Sequence, residues 1–230
     1  MKKKLWMILL AGMILMTGCT KITTERQMLT IAEDRINSAV TSEISSSTNI
    51  NKGFVSFYLE PSIGRFGGNK TNSVFLVGGH DVVLTIDVSS IVTAKYYSSD
   101  NPDLIVLREV DAFPNQVYEK EGTFLSGSGL VREYRCRIYH IGEKNYGIMM
   151  QTSNIIMVAE CPMSDTPDLA MMMMRILRTV RCDEEQVVTA YSQKEMIDYR
   201  KEVLDIFQKI YPENGSLADM LNDNTPGTGN

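Results

Sequence analysis

Reactive side chains are few in this chain of 230 residues, which holds four cysteines and two histidines. Three of the cysteines are Cys136, Cys161 and Cys182. Cys136 and Cys161 fall on predicted strands, and Cys161 and Cys182 bracket a predicted helix, so either pair could form a disulfide; the odd number forbids all three from pairing within one chain. The alternative is three buried thiols acting as small hydrophobes. His80 sits in a Gly-Gly-His-Asp hairpin turn and His140 near a strand end. Neither has a second histidine at ligand spacing, so no metal site is expected. A Ser-His-Asp set can be assembled on paper from Ser126 or Ser128, either histidine and one of several aspartates, but no nucleophile-elbow pattern holds the serine. Asp183-Glu184-Glu185 reads as a solvated acidic turn rather than a pair of catalytic carboxylates. No glycine string follows a strand and opens a helix, so phosphate-cradling fingerprints are missing. Met149, Met150, Met157, Met163 and Met171 to Met174 crowd one region. They read as core packing, with a pliable groove for a peptide or lipid, or a soft-metal site, as the alternatives. No catalytic residue, metal or cofactor is therefore expected, and the chain reads as a non-enzyme.

The one side chain placed for a defined reaction is Cys19. Lys2, Lys3 and Lys4 precede an apolar run, LWMILLAGMILM, and Met16-Thr17-Gly18-Cys19 closes it with small residues. A positive start, a short apolar stretch and a small-residue cleavage site make an export signal; the run falls short of the ~20 residues needed to span a bilayer. Leu15 to Cys19 resembles the lipobox of bacterial lipoproteins, with Met16 at the third position before the cysteine. The resemblance implies cleavage between Gly18 and Cys19 and a diacylglyceryl group, a lipid anchor of the palmitate kind, on the Cys19 thiol. Two acyl chains, at ~0.8 kcal/mol per buried methylene, hold a protein on a bilayer stably where one does not.

Cleavage there leaves 212 residues, room for one domain with helical additions. Removing Lys2, Lys3 and Lys4 takes the formal charge from −5 to −8. An acidic chain with no basic cluster is a poor partner for nucleic acid or for anionic lipid, so attachment to the membrane must come from the lipid on Cys19.

The elements that must position these residues follow the apolar pattern. Residues 1–18 are the signal peptide, and 19–23 the lipidated cysteine with a short tether. Thr24 and Gln27 form a capping box ahead of Met28, Ile31, Ile36, Ala39, Val40 and Ile44, which predicts a helix to about Ile44. Ser45 to Asn51 is a polar linker that completes a segment over 24–51. A sandwich domain over 52–190 comes next. It opens with a strand-like run from Phe54 to Leu59 and a loop from Gly64 to Asn72. Val74 to Val77 and Val82 to Val88 form a hairpin turned by Gly78 to Asp81, apolar on both faces and so central in a sheet covered by helices. Ile91 to Tyr97 is a short helix or an extended crossover, Ser98 to Pro102 a turn, and Leu104 to Phe113 a strand or short helix. Val117 to Phe124 is an edge strand; after the flexible turn at Ser126 to Gly129, three antiparallel strands follow at Leu130 to Ile141, Tyr146 to Gln151 and Ile155 to Glu160. Thr166, Pro167 and Asp168 start a helix that runs to Val180. Ser192 and Glu195 cap a C-terminal helix within 191–213, whose Met196, Tyr199, Val203, Ile206, Phe207 and Ile210 share one face. Residues 214–230 form a flexible tail.

The expected fold class is α+β: an antiparallel sheet of about five to seven strands with an N-terminal helix and two C-terminal helices packed on it, an α/β/α sandwich. The hairpin, the meander and the covering helix over about Gly53 to Arg181 are similar to the sandwiches of the Mog1/PsbP-like type, a resemblance that implies a binding or assembly factor. The expected function is a lipid-anchored module on the extracytoplasmic face of the bacterial cell membrane. It would engage an envelope protein partner by its sheet edge, its terminal helix or the Gly64 to Asn72 loop. An extracytoplasmic hydrolase or a lipoprotein that binds a small ligand are the alternatives.

Overall fold

The computed structural model describes residues 22, 24–96 and 115–191. Helix α1 (Glu25–Thr41) starts as its sequence dictates. Thr24 is extended and its hydroxyl accepts from the Gln27 amide at 3.3 Å, which satisfies one of the donors that a first helical turn leaves free. Met28, Ala32, Ile36 and Ala39 form the buried stripe, at the three- and four-residue spacing of one helical face. The helix ends at Thr41, short of the expected Ile44, because the backbone turns extended at Ser42.

Strands β1 (Ile50–Asn51) and β2 (Val55–Phe57) pair with each other, so the end of the expected linker is a short strand. β3 (Gly64–Gly68) is a strand where the glycines suggested a loop. Gly68 has φ +130°, and a Cβ there would fall 2.1 Å from the Asn72 carbonyl oxygen. Glycine is thus what lets the chain close tightly enough to form an edge strand. The turn is completed by the Asn69 side-chain oxygen, which accepts from the Thr71 and Asn72 amides and from the Thr71 hydroxyl. β4 (Asn72–Val77) and β5 (His80–Ile86) form the expected hairpin around a tighter turn. Gly78 and Gly79 have φ of 59° and 88°, the two successive positive values of a type I′ turn. His80 and Asp81 are therefore the first residues of β5, facing Val77 and Leu76 across the ladder, and not part of the turn. Helix α2 (Val88–Tyr96) resolves the Ile91 to Tyr97 ambiguity, and the Asp87 carboxylate accepts from the Ser90 amide at 2.9 Å at its start. The elements expected at Ser98 to Pro102 and Leu104 to Phe113 lie outside the described residues.

The meander follows: β6 (Gln116–Leu125), β7 (Val131–Ile141), β8 (Asn145–Gln151) and β9 (Ile155–Pro162). Helix α3 (Thr166–Thr179) has Asp165, not Thr166, at its N-cap, with Pro167 in the first turn. β10 (Arg181–Cys182) pairs with β2 to complete a three-stranded sheet. Helix α4 (Glu184–Tyr191) occupies the stretch that read as an acidic turn. The expected C-terminal helix over 191–213 and the tail lie outside the described residues apart from Tyr191.

The fold is thus α+β. Its main sheet has seven strands in the order β3-β4-β5-β9-β8-β7-β6, each pair antiparallel, with β6 at an edge as the sequence implied. Alternation along the strands gives the sheet two distinct faces. Phe75, Val82, Ala159 and Ile148 are successive register partners and share one core with Ala170, Met173, Met174 and Leu177 of α3. The row one residue out of phase runs Val74, Val83, Val158, Met149, Arg137 and Glu119 on the opposite face. α1 lies beside α3, joined at the surface by Arg35 Nε and Asp168 Oδ1 at 3.3 Å. At that exposure such a pair adds little, so the apolar stripes hold the helices in place.

Candidate functional site

Cys19 and Gly18, the lipidation and cleavage positions expected from the sequence, lie outside the described residues. Ile22 is half-buried against Met28, Ala32, Ile138 and Tyr146, in a cluster separate from the main core. Ile22 thus stands at one end of the sheet. That end gathers the starts of α1 and α3 and the β4–β5 and β7–β8 turns. There the Tyr146 hydroxyl donates to Glu25 Oε2 at 2.9 Å; burial and the Glu25 carboxylate push the phenol up to about 12. The His140 ring stands edge-on to Tyr146, centroids 5.1 Å apart.

His80 lies at the same end and has a partner that sequence reasoning missed. Its Nε2 is 2.9 Å from Asp165 Oδ2, and the Ser164 hydroxyl donates to Asp165 Oδ1 at 2.8 Å. Eighty-five residues separate histidine from carboxylate; only the I′ turn and the β9–α3 corner bring them together. A nucleophilic serine needs its hydroxyl against the base nitrogen. Here hydroxyl and imidazole both end on one carboxylate, so Ser164 is not activated and the cluster fixes the corner before α3. The Ser164 hydrogen bond, helped by His80 and opposed by burial, holds the Asp165 carboxyl below its ordinary value. A depressed carboxyl adds stability at pH above the ordinary carboxylate range and loses it as pH falls through the depressed value. Asp165→Asn is accordingly expected to flatten the acid limb of a plot of stability against pH below about pH 4, read from urea midpoints, and to leave the plateau at neutral pH parallel to the parent's.

Ser126 and Ser128 are elsewhere. Their hydroxyls are 2.9 Å apart in the β6–β7 turn, and the Ser126 hydroxyl also accepts from the Leu130 amide. The acidic run has structural duties. Asp183 Oδ1 accepts from the Gln186 amide at 3.0 Å and so caps α4, while Glu184 accepts from the Asn154 side-chain amide at 2.6 Å.

All three described cysteines are free. Cys136 on β7 and Cys161 on β9 are separated by the whole of β8 and by four residues of register, more than the ~9.5 Å of two strand spacings and beyond the ~7 Å that a disulfide tolerates between Cα atoms. Burial pushes the thiols up to about 12 for Cys136, 11 for Cys161 and 12 for Cys182, so they are unreactive at neutral pH. The methionines divide the same way. Met150, Met157, Met173 and Met174 are fully buried, while Met171 and Met172 are partly buried against the core.

Among the described residues no group of three His, Cys, Asp or Glu side chains is placed to hold a metal ion. A cleft of about 70 Å³ is lined by Glu43, Ile44, Tyr58, Glu60, Met172 and Arg175, among others. That is far below the ~300 Å³ at which small-molecule sites begin. No helix of the described residues is long and apolar enough to cross a membrane. The chain matches no protein-family model, and no curated protein matches it.

Proposed function

We propose that the chain is a lipid-anchored extracytoplasmic lipoprotein that works as a non-enzymatic binding or assembly module at the bacterial cell envelope, with a protein partner. The observation that carries the reading is the run from Lys2 to Cys19, in which a basic start, an apolar stretch and small residues before a cysteine follow one another in the order of a lipoprotein signal. Two features of the fold support it. Ile22 is packed into the body three residues after Cys19, which suits a short tether on a bilayer. Among the described residues, His80 and Asp165 are engaged with each other at the corner before α3, and Asp183 in the cap of α4. The likeness to Mog1/PsbP-like sandwiches favours the same reading.

The test is mass spectrometry of the mature protein together with fractionation of cells. The expected N-terminus is an acylated Cys19, and Cys19→Ala is expected to move the protein from the membrane fraction to the soluble fraction or to leave an uncleaved precursor. A mature N-terminus at another residue would end the proposal.

A further inference from the structure

We draw no further inference here: the strongest candidate, the exposed apolar patch of Leu125, Leu130 and Val131 at the β6–β7 turn, lies on a strand whose Glu119 and Glu121 are already paired with Arg135 and Arg137, and nothing in the structure shows what covers it.

Discussion

Arg178→Met is expected to lower the unfolding free energy by about 3 kcal/mol, seen as a fall in the urea midpoint with an unchanged slope. The guanidinium is 4% exposed, and burial lowers its pKa from the ordinary arginine value, although an arginine stays charged. What keeps a buried cation tolerable is that its donors find acceptors. One nitrogen serves the carbonyls of Ala39 and Ser42 and the Ser42 hydroxyl, and Nε donates to the Leu125 carbonyl at 3.3 Å. Ala39 and Ser42 are at the C-terminal end of α1, where the helix leaves carbonyls without partners and carries the negative end of its dipole. Methionine keeps much of the volume but takes the guanidinium donors from the Ser42 and Leu125 carbonyls and leaves Ala39 with the Ser42 hydroxyl alone, in a largely buried site. Arg178→Lys keeps the charge with one point donor in place of a fork and is expected to recover less than half of the loss. Arg175→Ala, which removes an exposed pair with Glu60 at 3.2 Å, is expected to cost no more than about 0.5 kcal/mol. If Arg178→Met and Arg175→Ala are equally mild, Arg178 is not the joint between α1, α3 and the end of β6.

Arg178 also shows where the sequence stops speaking. Its position late in α3 suggests a cation serving the C-terminal dipole of its own helix; in the fold it serves the end of α1, 136 residues earlier in the chain. Periodicity reports which face of a helix is buried, not which neighbour lies over its last turn. Local signals were legible for the same reason in reverse. The Thr24 cap, the edge strand at Gln116 to Leu125 and the three-strand meander each depend on residues close in sequence. Where glycine was read only as loop, the strand β3 was lost, because a positive φ at Gly68 is a tertiary requirement for close approach to Asn72. Where an acidic run was read as solvated turn, α4 was lost, because Asp183 caps a helix whose single buried residue, Val187, is too weak a stripe to see. The His80–Asp165 pair was out of reach altogether: it is made by the register of β5 and β9, which places Ala159 against Val82 and so brings the corner after β9 to the head of β5.

The methionine run gives the sharpest contrast between neighbours. Each residue of a helix is turned by about 100° from the one before, so four methionines in succession cannot share one environment. Ala170, Met173, Met174 and Leu177 follow the three- and four-residue spacing of a buried stripe, and the first methionines of the run, Met171 and Met172, fall to its flank. Met174→Ala is therefore expected to cost about 3 kcal/mol, the sum of lost transfer energy and an unfilled cavity in the main core. Met171→Ala, at a partly buried position where the gap is open to solvent, is expected to cost under about 1 kcal/mol. The two substitutions are chemically identical and three residues apart, so the difference in urea midpoint isolates burial from helix propensity, which alanine improves at both sites. A pliable methionine groove for a ligand makes the opposite forecast: a surface lined by thioethers would leave all four positions cheap to truncate. Equal, small losses at Met171 and Met174 would therefore return the run to the surface and reopen it as a binding face; a threefold or greater gap between them makes it the wall of the core against which the sheet is set.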